Sequence, residues 1–238
     1  LKELGFDEFI SLIDHEATKQ KITQVLGDKL PRDVKKNDRV LIFFAGHGQT
    51  EEISGRQYGY IIPVDGEMQN YYSSAISMAQ VREFSKRIPA KHIYYVIDAC
   101  YSGLGLMRSG PRFSSETDGF LEKVTSQKAV QMVTAGGKDE QVVEDGKHGL
   151  FTDYFLSGLE GVADADNDGI LTASEIGSYI RPAVSKASRN RQTPQFGSLE
   201  GEGEFVFVLP KAGVSVNNTN QDPDIVRKRN ELQELEKK

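Results

Sequence analysis

Arg39-Val-Leu-Ile-Phe-Phe-Ala-Gly-His47-Gly48 is an apolar, β-branched and aromatic run that ends abruptly in small residues around a histidine. A second run of the same kind, His92-Ile-Tyr-Tyr-Val-Ile-Asp98-Ala-Cys100-Tyr-Ser-Gly103, ends in the chain's only cysteine. Buried parallel strands read as continuous hydrophobic runs and deliver chemistry at their carboxyl ends. A thiol needs a neighbouring base to become a thiolate near neutral pH, and imidazole has the pKa suited to that task. His47 and Cys100 are therefore the candidate pair of a cysteine hydrolase.

Working outward, Phe6 to Phe9 with Leu12-Ile13 reads as a short strand. Thr18 to Leu26 reads as an amphipathic helix, with Ile22, Val25 and Leu26 on one face, closed by Pro31 and the charged stretch from Arg32 to Arg39. Gln57 to Val64 is a strand ended by Pro63 and the Asp65-Gly66 turn, and Ser77 to Arg87 is a helix burying Met78, Val81 and Phe84. Tyr101 to Ser126 turns to Gly, Ser, Pro and charge, the pattern of a functional or mobile loop. Ala129 to Thr134 is the next core strand; helices follow at about 150–159 and 173–188, and Phe205 to Leu209 is the last strand. The alternation predicts an α/β fold with a mostly parallel central sheet and helices on both faces.

The chain of 238 residues and 26.4 kDa is long enough for one such domain with a real core. A net charge of −6 and no aromatic-interleaved basic stripe argue against a nucleic-acid surface. One cysteine excludes an internal disulfide and suits a reducing compartment, so the expected location is cytoplasmic. No apolar run reaches transmembrane length, and the segment is expected to have no membrane partner. Val214 to Asp224 is a polar linker and Ile225 to Lys238 a charged helical tail, which suggests further domains of the same protein. Asn217-Asn-Thr219 matches a glycosylation sequon, which carries no meaning in a cytosolic chain.

Ala45-Gly-His-Gly48 and Asp98-Ala-Cys-Tyr-Ser-Gly103 resemble the two catalytic motifs of the caspase-like cysteine peptidases, with histidine preceding cysteine and each following a core strand. Papain-like enzymes run in the opposite order. Val130 to Gly136, His148 to Thr152, Gln192 to Gln195 and Gly203 to Phe207 resemble the small-subunit region of bacterial caspase-like and metacaspase proteins. The resemblance implies a peptidase domain over 1–210, with a large-subunit-like part at 1–108, a linker at 109–126 and a small-subunit-like part at 127–210, followed by the tail at 211–238. It also implies a first strand and helix upstream of Leu1.

By the same resemblance, the backbone N–H groups of Gly48 and Cys100 form the oxyanion hole, and protein or peptide substrates are the partners. Asp98, two positions before Cys100 on a strand, is expected on the nucleophile's side of the sheet. A carboxylate there would recruit a cation, and the metacaspases and paracaspases that resemble this chain cleave after Arg or Lys. The same preference makes Arg108, Arg112 and Lys123 candidate self-cleavage points. Asp98 as a mere partner of loop backbone is the competing reading. His15, His92 and His148 are read as structural.

Asp164-Ala-Asp166-Asn-Asp168-Gly169-Ile170-Leu-Thr-Ala-Ser-Glu175 fits a calcium loop position for position: alternating aspartates, a glycine at the sharp turn, the Ile170 carbonyl and a terminal Glu175. A structural Ca2+ is the expected ion, with no cofactor for catalysis. Thr172 and Glu175 also fit a capping box, which explains the glutamate but not the three aspartates. Two other readings of the whole chain are a non-catalytic caspase-like interaction module and a calcium-dependent adaptor.

Overall fold

The computed structural model describes residues 1–100, 119–137, 140 and 149–210. Along the chain run α1 (Lys19–Gln24), α2 (Leu30–Asp33), β1 (Arg39–Ala45), β2 (His47–Ile53), β3 (Arg56–Ile62), α3 (Tyr71–Ser74), β4 (Ile76–Ser77) and α4 (Met78–Arg87). They are followed by β5 (His92–Cys100), α5 (Phe120–Ser126), β6 (Ala129–Gly136), α6 (Leu150–Ser157), β7 (Ile170–Thr172), α7 (Ala173–Ala187), β8 (Gln195–Glu200) and β9 (Val206–Val208).

The central sheet has the order β1-β5-β6-β8. β1, β5 and β6 are parallel, and β8 runs antiparallel against β6. β5 is buried from both sides, and its side chains sort by parity. Ile93, Tyr95 and Ile97 pack with Met78, Val81 and Phe84 of α4 and with Ile22 and Leu26. Tyr94 and Val96 pack with Phe151 and Phe155 of α6 and with Ile176, Ile180 and Val184 of α7. This is the period-two alternation of a strand covered on both faces. Each such side chain contributes about 1.5–3 kcal/mol by leaving water. The mostly parallel α/β sheet with helices on both faces is thus as the sequence pattern predicts.

Local signals set several boundaries. The Ser77 side chain accepts the Gln80 amide at 3.2 Å while the Gln80 side chain accepts the Ser77 amide at 3.0 Å, a capping box that starts α4. β2 and β3 form a hairpin whose two turn residues, Ser54 and Gly55, both have positive φ (53° and 73°). That is the conformation a two-residue turn requires to match strand twist.

Four expectations are corrected. Residues 6–13 form no strand; Phe6 is held by its ring, which stacks on Phe205 at 6.5 Å and lies under the Arg39 guanidinium at 5.6 Å. The first helix does not stop at Pro31. It widens through a π turn at Val25–Lys29, where the Leu30 amide bonds the Val25 carbonyl, and Pro31 enters the first turn of α2, where a missing N–H is tolerated. Of the loop expected over 101–126, residues 101–118 lie outside the described residues and Phe120–Ser126 form helix α5, anchored by the Lys123 amide on the Gly119 carbonyl at 2.9 Å. The strand expected at 205–209 exists as β9 but pairs with β7, outside the central sheet. β8, which the sequence pattern did not reveal, takes the sheet edge beside β6 instead.

Among the described residues, no helix is long and apolar enough to cross a membrane.

His92, at the start of β5, is 2% exposed, and its Nε2 lies 3.1 Å from the Gln127 carbonyl. Burial, opposed by that hydrogen bond, lowers its pKa to about 4. The unfolded chain, with an ordinary imidazole, therefore binds more protons below about pH 6.5. The contribution of His92 to stability is intact above that pH and is lost as pH falls toward 4, by roughly 3 kcal/mol in all. Urea denaturation of wild type and His92→Gln between pH 7 and pH 4 checks this: the substitution should remove that part of the acid destabilisation, and parallel pH profiles would show that His92 is not its source.

Candidate active site

The parallel register of β1 and β5 runs from Arg39 opposite His92 to Ala45 opposite Asp98. Beyond it, the Gly46 amide donates to the Asp98 carbonyl at 3.2 Å, continuing the ladder by one more bond. The chain then leaves the sheet, and His47 opens β2, paired with Ile62 of β3. β1 thus stops at Ala45, two residues before His47, and β5 runs two residues past Asp98 to its final residue, Cys100. The backbone of Cys100 pairs with Gly136 at the end of β6. Its side chain lies outside the described residues. His47 is exposed. A Cβ on Gly46 would stand 2.9 Å from the Phe44 ring, so the ring would have to shift to admit one.

The other histidines separate from this site. His92 is buried at the opposite end of β5, His15 sits exposed in a short 3-10 turn, and His148 lies outside the described residues.

Asp98 is 7% exposed, and its Oδ2 accepts the Thr152 hydroxyl of α6 at 2.5 Å. The carboxylate therefore faces the α6 and α7 side of the sheet. Between Ile97 and Cys100 the pairing with β6 shifts, so that Ile97 opposes Thr134 while Cys100 opposes Gly136. Three steps along β5 match two along β6, a bulge that interrupts strict alternation. The i and i+2 rule alone therefore does not put residues 98 and 100 on one face.

Sequence reasoning missed Glu140. Its Oε2 accepts the Gly137 amide at 2.8 Å and the Thr193 amide at 2.7 Å, tying the carboxyl end of β6 to the segment that leads into β8. These contacts lie one residue beyond Gly136, so Glu140 braces the wall next to the end of β5. Nothing in its sequence context distinguishes it from a surface glutamate. Of the candidate self-cleavage points, Arg108 and Arg112 lie outside the described residues, and Lys123 is exposed on α5.

The acidic loop joins the helical segment after α6 to α7. One oxygen from each of Asp164, Asp166 and Asp168 lies within 4.8 Å of the others. Asp164 Oδ2 accepts the Gly169 amide at 3.0 Å, and Asp168 Oδ1 accepts the Ile170 amide at 2.7 Å. Glu175 Oε2 accepts both the amide and the hydroxyl of Thr172 at 2.8 Å, forming the expected capping box. Burial, reinforced by Asp168 and Asp166, raises the Asp164 pKa; burial likewise raises that of Glu175.

The sequence model of the caspase domain matches residues 1–205. The chain belongs to the caspase family. No curated protein matches it. The crystal structure of a Geobacter sulfurreducens protein superimposes with a TM-score of 0.51 at 14% identity, covering 79% of this chain and 76% of that one, a likeness of fold. The caspase match spans β1, β5 and the acidic loop alike, so the loop lies inside the caspase domain. The match supports a place in the caspase-like peptidase family in general.

Within this caspase domain, Thr152→Val should leave the buried Asp98 carboxylate without its hydroxyl donor and cost about 1–3 kcal/mol of stability in chemical denaturation. Thr152→Ser, which keeps the hydroxyl, should cost less; equal losses would assign the effect to packing.

Proposed function

We propose that this caspase-family domain is a cysteine endopeptidase that cleaves protein or peptide substrates after Arg or Lys through a Cys100–His47 dyad. The observation that supports the reading is the parallel register of β1 and β5, in which Ala45 lies opposite Asp98, so that His47 and Cys100 each follow two residues after a paired position at the carboxyl end of the sheet.

In the proposed reaction the Cys100 thiol passes its proton to His47, and the sulfur attacks the scissile carbonyl carbon. The carbonyl oxygen takes up the electron pair, and the Gly48 and Cys100 amides stabilise it; losing one such donor costs about 10²–10³ in rate. As the tetrahedral species collapses, the C–N bond breaks and His47 returns the proton to the departing amine. The resulting thioester is hydrolysed by water that His47 deprotonates, restoring the thiol.

Asp98 is the proposed source of selectivity. A buried carboxylate at the end of β5 favours a cationic side chain and disfavours an acidic one, because two buried carboxylates repel. Self-processing would follow the same preference. Arg108 and Arg112 are the better candidates, because cleavage after Lys123 requires α5 to unwind.

Fluorogenic peptides ending in Arg or Lys should be cut, and peptides ending in Asp should not. Cys100→Ala and His47→Ala should each lower kcat/KM by at least about 10³-fold, and the double variant should be little worse than either, as expected for groups acting as a unit. Asp98→Asn, which can still accept from Thr152, should raise KM for cationic peptides and blunt the preference. Cleavage after Asp in preference to Arg would overturn the specificity. Wild-type turnover by folded Cys100→Ala would overturn the enzyme assignment in favour of an interaction module.

A further inference from the structure

The loop between α6 and α7 carries a feature that turn formation leaves unexplained. Asp164 is only 9% exposed, and its Oδ1 is fully buried with no hydrogen-bond partner. Buried polar atoms are nearly always satisfied, and a buried carboxylate oxygen without a partner costs free energy. Asp164 belongs to a group in which one carboxylate oxygen of each residue lies within 4.8 Å of the others, so the neighbouring carboxylates repel it.

The backbone adds an oxygen on the same side. β7 pairs antiparallel with β9, with Ile170 opposite Val208. The Leu209 amide bonds the Gly169 carbonyl at 2.9 Å, which makes Ile170 and Val208 a non-hydrogen-bonded pair. The amide and carbonyl of Ile170 therefore face away from β9. The amide confirms this direction, because it donates to Asp168 within the loop. The strand pairing thus directs the Ile170 carbonyl toward the aspartates, and β9 supplies the rigid backing for it.

Glu175 completes the set. Its Oε2 caps α7 at Thr172, at the end of the same loop. We infer that this loop is a calcium site, with Asp164, Asp166, Asp168, the Ile170 carbonyl and both oxygens of Glu175 as ligands. Six hard oxygens from flexible carboxylates and one carbonyl suit Ca2+; Mg2+ demands tighter octahedral geometry and holds on to its waters. The absence of nitrogen and sulfur donors speaks against zinc. The cation supplies the partner that Asp164 Oδ1 lacks and offsets the mutual repulsion of the carboxylates. The site is separate from the proposed peptidase centre, so its test does not depend on cleavage.

Calorimetric titration of the metal-free chain with CaCl2, alongside thermal melts in CaCl2, MgCl2 and EDTA, tests the assignment. The expected result is one Ca2+ per chain, with a dissociation constant in the range of about 10⁻⁶–10⁻³ M spanned by such loops, and a melting temperature that rises with Ca2+. Asp166→Asn and Glu175→Gln preserve the backbone hydrogen bonds of the loop and the cap but remove charge. Each should weaken binding at least tenfold without lowering the melting temperature measured in EDTA. No binding heat and no Ca2+-dependent melting shift at millimolar Ca2+ would overturn the site. Equal stabilisation by Mg2+ would overturn the choice of ion, and a shift that persists undiminished in both variants would overturn the ligand set.

Discussion

The parallel ladder between β1 and β5 is the constraint on which the rest depends. It aligns two strands from distant parts of the sequence so that they finish together, and its continuation from Gly46 to the Asp98 carbonyl fixes where the histidine segment departs. Parallel strands require a crossover, and here that crossover contains the hairpin and α4. α4 packs back on the β5 residues of one parity while α6 and α7 cover the other, so alignment at the strand ends is backed by two hydrophobic clusters.

Much of this was legible in the sequence because burial leaves a periodic trace. The run at 93–97 is apolar without a break, as a doubly covered strand must be, the run at 40–45 is apolar although it forms a half-exposed sheet edge, and Met78, Val81 and Phe84 repeat at helical spacing. β2 and β8 escaped notice for the complementary reason. β2 reads His-Gly-Gln-Thr-Glu-Glu-Ile and is largely exposed, and β8 carries a glycine and a serine in a sheet-edge strand, so neither presents an apolar run. The Ser54-Gly55 dipeptide was the available signal for the hairpin. Phe6 misled for another reason: its burial comes from ring contacts with Phe205 and Phe207, which demand no strand.

At the candidate site, residue types and spacing indicated His47, Asp98 and Cys100, but tertiary partners could not be read from them. The Thr152 hydroxyl reaches Asp98 from 54 positions away in the chain, and Glu140 spans 53 positions to Thr193. Such pairs leave no local pattern. The same holds for the bulge between Ile97 and Cys100, which depends on how β6 pairs and not on β5 alone. The acidic loop stands at the other extreme, since its ligand spacing is entirely local; what the fold adds there is β9, which occupies the pairing edge of β7.

The departure of the chain at Gly46 has a consequence for how this domain can vary. The strand bearing the cysteine is clamped between two neighbours, whereas the histidine is the first residue of a separate three-stranded sheet. The segments that carry the two residues thus belong to different ladders. A substitution on the exposed strand of the hairpin therefore acts on the histidine segment through a ladder that the central sheet does not share.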